Sequence, residues 1–185
     1  MRMSCRKRTK LIVIENGQLT DYSLDEKTKW EIGRAAKDNI PDIRLTTATV
    51  SRKHGCFMNM NGVWFYTDYN SKNGTVYNKK RISPGIKGRV KPMLLADGDI
   101  LVYGGGDKET INCRTVWSIF LTKAFDDSWR VIDSKGYNRI SLISDNKETI
   151  LENPVKGTVI EKELGIAIYM GDLTYIIGDM EMTQG

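Results

Sequence analysis

Ser51-Arg52-Lys53-His54-Gly55 is the stretch around which the sequence is organised, and two other short polar runs accompany it, Gly33-Arg34 upstream and residues 68–75 downstream. Each run combines a glycine or small polar residue with a cation or hydroxyl that can hold an anion. The segments between the runs are rich in Val, Ile, Phe, Trp and Tyr without a long helical period, so they predict strands. We therefore expect the three polar runs to be loops that meet at one end of a β structure.

Turn signals divide the chain into short apolar runs as far as Leu121. Asn16-Gly17 and Asn61-Gly62 each lie between two such runs and predict tight hairpins, because both central positions of this turn need a positive φ. Asn73-Gly74 repeats the hairpin signal within the downstream polar run. No segment has a convincing helical period. The pattern predicts an all-β protein, a sandwich of about ten to eleven strands followed by a small β-rich C-terminal extension.

Five motifs in this order and at these spacings resemble the forkhead-associated (FHA) domain, a family that binds phosphothreonine peptides. The motifs are Gly33-Arg34, the apolar pair Ile43 and Leu45, Ser51-Arg52-Lys53-His54, Asp-x-x-Ser-x-Asn-Gly-Thr-x-x-Asn over 68–78, and Leu-Ala-Asp-Gly-Asp over 95–99. The resemblance extends from about residue 10 to residue 122. It implies an FHA-like β-sandwich and leaves the last third of the chain unexplained.

The resemblance implies a phosphothreonine site formed by Arg34, Ser51, Arg52, Lys72 and Asn73. A phosphothreonine carries close to two negative charges and three acceptor oxygens, which suit the donor fork of Arg34 and the compact hydroxyl of Ser51. Arg52 either contacts the phosphate or lies beside it, and Lys72 either adds charge to the pocket or points to solvent. In the family the residue at Asn73 holds the peptide main chain next to the phosphothreonine.

Other motif residues are expected to support the binding loops rather than to contact the ligand. His54 is the single histidine of the chain, and no acidic residue lies beside it in the motif to form a catalytic triad. We expect it to brace the loops by hydrogen bonding. The predicted supporting residues are Gly33, His54, Asp68, Gly74, Thr75 and Asn78.

The chain is predicted to have three parts: a basic tail over 1–10, an FHA-like domain over 11–123 and a β-rich region of unknown type over 124–185. The C-terminal region contains six further strand-like runs and matches no motif that we can name. From Arg130 onward it carries six basic and nine acidic residues, so it is mildly acidic. It either packs on the sandwich or belongs to a second module whose remainder lies outside this chain.

Charge and residue usage disfavour several other functions. The net charge of +5 arises from five cations among the first ten residues, and the remainder of the chain has 23 basic and 23 acidic residues, so nucleic-acid binding is not expected. Three cysteines without CxxC spacing and a single histidine argue against a disulfide framework, a metal site or a cofactor. No apolar run is long enough to cross a bilayer, and we expect a cytoplasmic protein.

The expected function is that of a non-catalytic adaptor in kinase-linked signalling. The sequence has no GxxxxGK[ST] loop, no paired carboxylates with a base and no nucleophile motif, so we expect no enzymatic activity. The expected partner is a threonine-phosphorylated protein or peptide, either a substrate of a Ser/Thr kinase or the kinase itself. The alternatives are loops that keep the motif but bind nothing, and a phosphate-independent scaffold that uses the C-terminal β region.

Overall fold

The computed structural model describes most of the chain and is almost entirely β. The described residues are 9–78, 80–82, 91–104, 116–123, 125 and 129–185. They contain no α-helix, and no helix among them has the length and apolar character needed to span a bilayer. The chain divides into two compact units after Lys123.

The described residues of the first unit form eleven strands and one 3-10 turn, Leu24–Glu26. The strands are β1 (Lys10–Glu15), β2 (Gln18–Ser23), β3 (Lys29–Arg34), β4 (Ile43–Leu45), β5 (Gly55–Met60), β6 (Val63–Asp68), β7 (Thr75–Tyr77), β8 (Lys80–Arg81), β9 (Met93–Leu94), β10 (Ile100–Tyr103) and β11 (Val116–Leu121). They form a six-stranded sheet in the order β2-β1-β11-β10-β7-β8 and a five-stranded sheet in the order β4-β3-β5-β6-β9. The predicted FHA-like β-sandwich is confirmed.

One hydrophobic core joins the two sheets. Leu11 of β1, Leu101 of β10 and Phe120 of β11 come from the first sheet, and Ile32 of β3 and Phe57 of β5 come from the second. All five side chains are at most 1% exposed. Each buried side chain of this size contributes about 1.5–3 kcal/mol by leaving water, so the core holds the strand ends, and with them the loops, in fixed positions.

Two of the three predicted hairpin turns are confirmed. Asn16-Gly17 joins β1 to β2 with φ of 52° and 75°, and Asn61-Gly62 joins β5 to β6 with φ of 55° and 84°. The prediction of a hairpin at Asn73-Gly74 is wrong, because the flanking strands β6 and β7 belong to different sheets. In addition, Gly74 has a positive φ but Asn73 does not. This run crosses from one sheet to the other, which places the loop at the end of the sandwich.

The strand register brings the polar loops to one end of the sandwich. β3 and β5 are antiparallel, with Ile32 opposite Gly55, so the C-terminal end of β3 lies beside the start of β5. Gly55 is in turn opposite Asp68, the last residue of β6. In the other sheet Thr75, at the start of β7, is opposite Tyr103, at the end of β10. Loops 46–54 and 69–74 therefore leave the sandwich at the same end.

In the second unit, the part that the structure describes forms seven strands in two small sheets, with the orders β12-β17-β16-β15 and β14-β13-β18. The strands are β12 (Arg130–Asp133), β13 (Arg139–Ser144), β14 (Lys147–Glu152), β15 (Thr158–Glu161), β16 (Gly165–Tyr169), β17 (Leu173–Gly178) and β18 (Glu181–Gln184). Ile140, Leu142, Ile176 and Met180 are at its core. Six of these strands correspond to predicted runs, whereas β18 was missed. The division into a basic tail over 1–10, a domain over 11–123 and a β-rich region of unknown type over 124–185 stays a prediction, and residues 1–8 of the tail lie outside the described residues.

Candidate functional site

Arg34 lies at the end of β3 and is fixed against the loop that carries Ser51. Its backbone N–H donates to the carbonyl of Ser51 (3.0 Å), and its side-chain Nε donates to the carbonyl of Val50 (3.0 Å). The side-chain bond uses one of the five guanidinium donors and holds the plane of the group. No described residue accepts from the two terminal nitrogens, so they remain free to donate as a fork to an anion.

Ser51 connects two of the three polar runs. Its Oγ accepts a hydrogen bond from the backbone N–H of Lys72 (3.0 Å), which ties loop 69–74 to loop 46–54. That bond uses a lone pair and leaves the hydroxyl hydrogen of Ser51 available to an acceptor. The side chain of Lys72 is exposed and adds positive charge at the same end of the sandwich.

Asn73 makes the second connection between these loops. Its Nδ2 donates to the carbonyl of Thr49 (2.7 Å). The amide has another N–H and a carbonyl oxygen, and these are the donor and acceptor with which an extended peptide backbone could pair. The structure therefore brings Arg34, Ser51 and Asn73 together, while their contact with a phosphothreonine peptide stays a prediction.

A buried hydrogen-bond network lies beneath the loops and is centred on Thr75, which is fully buried. Its hydroxyl donates to Asp68 Oδ2 (2.7 Å) and accepts from the Tyr66 hydroxyl (2.9 Å) and from His54 Nε2 (3.1 Å). One donor and two acceptor positions are thus all used, which is the complete capacity of a hydroxyl. Asp68 also accepts from the backbone N–H and the hydroxyl of Ser71, and so shapes the start of loop 69–74.

His54 is fully buried and links the network to the Ser51 loop. The backbone N–H of Ser51 donates to its Nδ1 (3.2 Å), so the hydrogen of the neutral ring must be on Nε2, which faces the carbonyl of Gly74 (3.1 Å) and the Thr75 hydroxyl. Burial lowers the pKa of His54, and Asp68 at 3.7 Å opposes this shift. Both nitrogens of the neutral imidazole are engaged, which suits a brace and leaves no nitrogen for acid–base catalysis.

Two glycines are required at the site, Gly33 by a close backbone contact and Gly74 by its positive φ. A Cβ on Gly33 would lie 1.8 Å from the carbonyl oxygen of Arg52, so only glycine lets the 51–52 backbone pass over the end of β3. Gly74 has φ of +76°, and its carbonyl accepts from His54 and from the backbone N–H of Gly104 (3.2 Å). Both glycines therefore allow the loops to adopt this shape, which agrees with the supporting role predicted for them.

The side chains of Arg52 and Asn78 make their contacts outside the cluster of Arg34, Ser51 and Asn73. The side chain of Arg52 is 57% exposed, and its Nη1 lies 3.9 Å from Asp38 Oδ2. Asn78 follows β7 at the end remote from Thr75, where it donates to Asp99 Oδ1 (2.9 Å) and accepts from the N–H of Ile100 (2.8 Å). Asn78 thus supports the turn before β10 rather than the loops near Ser51.

Asn39 joins two loops of the site and was not among the predicted residues. Its Nδ2 donates both to the carbonyl of Arg34 (3.0 Å) and to that of Arg52 (2.9 Å). Its own backbone forms a mutual pair of hydrogen bonds with Ala36, which closes the turn after β3. An asparagine in a polar loop gives no signal of such a role in the sequence.

Glu15, the last residue of β1, clamps the segment that leads to Ser51. Its carboxylate accepts from the backbone N–H and the hydroxyl of both Thr46 and Thr47, at 2.8–3.1 Å. The N–H of Val50 then donates to the carbonyl of Thr47 (3.1 Å). Val50 and Thr49 supply the carbonyls that hold Arg34 and Asn73, so Glu15 stabilises the acceptors of both.

The arrangement suits the binding of a phosphate-bearing ligand. The terminal nitrogens of Arg34 and the hydroxyl hydrogen of Ser51 supply donors, and the nearby Lys72 and Arg52 supply positive charge. A dianionic phosphate needs several donors and charge compensation, and it gains most where these are already oriented. Among the described residues no three His, Cys, Asp or Glu side chains form a group that could hold a metal ion.

Comparison with known proteins agrees with this geometry. Residues 30–104 match the family model of the FHA domain. The E3 ubiquitin-protein ligase DMA1 of Saccharomyces cerevisiae is 34% identical over 118 residues, which cover 59% of this chain and 27% of DMA1. The E3 ubiquitin-protein ligase DMA2 of the same species is 37% identical over 89 residues, 43% of this chain and 17% of DMA2. The chain thus spans about a quarter or less of these relatives.

A solved structure, full-length yeast Pml1p, shares the fold at 25% identity with a TM-score of 0.50, and the match covers 64% of this chain and 85% of Pml1p. The family match begins at Trp30 in β3 and ends at Gly104 after β10, so it contains all three polar loops. Residues 30–104 of this chain therefore form an FHA domain, a phosphopeptide-binding module.

Proposed function

We propose that this FHA domain binds a phosphothreonine peptide, with Arg34 and Ser51 on the phosphate and Asn73 on the peptide backbone. The observation that carries the proposal is the guanidinium of Arg34, whose Nε is held by the carbonyl of Val50 while its terminal nitrogens are left for a ligand beside the Ser51 hydroxyl. A donor fork oriented before binding loses little conformational entropy when the phosphate arrives.

Preference for phosphothreonine over phosphoserine belongs to the same proposal. The two ligands differ by one methyl group, whose burial contributes roughly 1 kcal/mol, or about fivefold in affinity. Asn39 holds the carbonyls of Arg34 and Arg52, and Glu15 holds the N–H groups of Thr46 and Thr47, so these loops keep one arrangement around a bound phosphoamino acid and can distinguish the two ligands. A mobile loop would adapt to either ligand.

The chain acts, in this proposal, as a non-catalytic adaptor that recruits a threonine-phosphorylated protein, either a Ser/Thr kinase substrate or the kinase itself. The ligase activity named for DMA1 and DMA2 is not transferred to this chain, since the match spans 27% and 17% of their lengths. A cytoplasmic location is part of the proposal.

Isothermal titration with three peptides of one sequence tests the proposal. The peptides contain phosphothreonine, phosphoserine or unmodified threonine, and the proteins are the parent and Arg34→Ala, with Arg139→Ala as a control that removes an exposed arginine of the second unit. We expect the parent to bind only phosphorylated peptides and Arg34→Ala to lose about 2 kcal/mol, or roughly thirtyfold, because a charge-assisted contact is removed. Equal binding by Arg34→Ala and parent would reject the site. Equal binding of phosphorylated and unmodified peptides would favour the phosphate-independent scaffold.

A further inference from the structure

Strand β14 (Lys147–Glu152) forms an edge of its sheet, which has the order β14-β13-β18. It has six residues, whereas β12, β15 and β18, the other edge strands described in the second unit, have four each. Four of its six side chains are exposed. An exposed edge strand is a template beside which another extended segment can pair. The function proposed above does not use this edge.

The turn before β14 decides which of its backbone groups pair with β13. This turn consists of residues 145–146, both with a positive φ (53° and 59°). Ser144 and Lys147 flank the turn and form the first hydrogen-bonded pair of the ladder. Such pairs alternate with pairs that exchange no hydrogen bond, so every second residue of β14 directs its N–H and C=O away from β13. The N–H of Asn153 donates to the carbonyl of Asn138 (2.7 Å), which agrees with this alternation.

The backbone groups that point away from β13 belong to Glu148, Ile150 and Glu152. Within the described part of the chain no group donates to them or accepts from them. The three side chains are exposed, and they lie on one face of the strand because alternate residues share a face. An extended segment beside β14 would therefore form main-chain hydrogen bonds with the same three residues whose side chains it meets.

The exposed face of β14 is apolar in the middle and acidic at both ends. Ile150 is 45% exposed, and Ile143 of β13, which is 42% exposed, is its diagonal neighbour. Glu148 and Glu152 lie two residues before and two residues after Ile150 on the same face. Glu181 of β18 is opposite Ile143 and adds a third carboxylate.

The described residues leave most of this negative charge uncompensated. Neither Glu148 nor Glu181 has an ion-pair partner among them, and the carboxylate of Glu148 accepts from the Ser141 hydroxyl. Arg139 Nε lies 3.9 Å from Glu152 Oε1, with the two side chains 52% and 72% exposed, so this pair is weak in water. A basic side chain brought beside β14 would thus meet carboxylates that are free to pair with it.

The same charges disfavour a second copy of this chain beside β14. If two β14 strands paired antiparallel about Ile150, Glu148 of each copy would lie opposite Glu152 of the other. Like charges directly opposite each other destabilise a strand pair, whereas opposite charges stabilise it. The charge of the edge therefore favours a basic segment over a copy of itself.

We propose that β14 is a docking strand for a basic, extended segment of a partner protein, which adds to the sheet at this edge. The segment has an apolar or β-branched residue opposite Ile150. It has a lysine or arginine two positions before and two positions after that residue, opposite Glu148 and Glu152. This contact needs no phosphate and is additional to the proposed phosphothreonine site.

A phage-display selection of random peptides on the full chain tests the proposal. The displayed peptides carry no phosphate, so they do not report on the phosphothreonine site. The parent is compared with the double variant Glu148→Lys/Glu152→Lys. The matched control is Glu26→Lys/Glu163→Lys, which inverts two exposed glutamates elsewhere and gives the same net charge.

In the parent we expect enrichment of peptides with two basic residues on either side of an apolar or β-branched residue, each two positions from it. A selected peptide, measured by fluorescence anisotropy, should bind the β14 double variant about tenfold more weakly, since each cross-strand charge pair contributes up to about fivefold. The control variant should retain the parental affinity. The same peptide with glutamate in place of its basic residues should bind the β14 double variant better than it binds the parent.

Amide hydrogen exchange of the chain with the selected peptide separates strand addition from a contact of side chains alone. The N–H groups of Glu148, Ile150 and Glu152 should exchange rapidly in the free chain and be protected about tenfold or more in the complex. The N–H of Thr149, which pairs with β13, should be protected in both states.

A selection without the basic pattern would overturn the inference. Unchanged exchange at Ile150 in the complex, or equal weakening by the control variant, would also overturn it. A dimer of the parent in sedimentation that Ile150→Lys dissociates would replace the basic partner with a second copy. All of these results would leave the proposed function standing.

Discussion

Glu15 is expected to control ligand affinity although it lies on a strand outside the FHA motifs. Its carboxylate makes five hydrogen bonds of 2.8–3.1 Å to Thr46 and Thr47, and two of the donating groups are backbone N–H. Each such bond contributes about 0.5–1.5 kcal/mol when buried, and less here, because Thr46 is exposed and water can replace part of the set. We expect Glu15→Ala to lower the free energy of unfolding by about 1–2 kcal/mol.

The same substitution should weaken phosphothreonine-peptide binding by about tenfold. Without the carboxylate, the carbonyls of Thr49 and Val50 are no longer held in a fixed position. These carbonyls are the acceptors that orient Asn73 and Arg34, so both side chains become less ordered. Restoring that order on binding then costs roughly 1.4 kcal/mol.

Isothermal titration gives the affinity and urea denaturation gives the stability of each variant. Glu26→Ala is the control, since it removes an exposed acidic residue in the 3-10 turn. Glu15→Gln, which keeps one acceptor oxygen, should lie between parent and Glu15→Ala. Parental affinity in Glu15→Ala would refute the link between β1 and the site, and so would an equal loss in Glu26→Ala.

Three further predictions follow from the loops and the network beneath them. Gly33→Ala, whose Cβ would lie 1.8 Å from the Arg52 carbonyl, should lower the free energy of unfolding by about 2–3 kcal/mol in urea denaturation, and an unchanged value would contradict the contact. Thr75→Val should lower the free energy of unfolding by about 2–3 kcal/mol in the same assay, because the Asp68 carboxylate loses a buried donor. An unchanged free energy of unfolding would contradict this and would mean that water replaces the hydroxyl. Burial lowers the pKa of His54 in the folded protein, so the unfolded chain binds a proton more readily. The contribution of His54 to the free energy of unfolding is therefore complete above pH ~6.5, and at lower pH it decreases by up to about 1.4 kcal/mol per pH unit. Urea denaturation at pH 7.5, 6.5 and 5.5 measures this slope, and equal stability at all three values would contradict it.

Much of the sandwich could be predicted because local signals agree with the fold. Asn16-Gly17 and Asn61-Gly62 need positive φ at both residues, which few other pairs supply, and the strands beside them alternate or are wholly apolar. The convergence of Arg34, Ser51 and Asn73 followed from the order of three polar loops at strand ends. Tertiary context overrode the signal at Asn73-Gly74, where Ser51 and Thr49 hold the loop across the two sheets.

The supports of the site could not be predicted, because their partners are distant in sequence. Glu15 and Thr46 are 31 residues apart, and nothing local distinguishes this glutamate from a solvated one. Asn39 uses two backbone carbonyls, which every residue possesses, so its partners leave no trace in the sequence. Asn78 fits the motif spacing, yet its side chain donates a hydrogen bond to Asp99, at the end of β7 that is remote from Thr75.

Binding of phosphothreonine at Arg34, Ser51 and Asn73 can be tested by a nuclear magnetic resonance titration of the ¹⁵N-labelled chain with a phosphothreonine peptide, alongside the same peptide without phosphate. We expect the phosphorylated peptide to shift the Arg34 side-chain Nε–H signal and the backbone amides of Ser51, Lys72 and Asn73 most strongly, and the unmodified peptide to leave these signals in place. The largest shifts among residues 129–185, or equal shifts with both peptides, would contradict it.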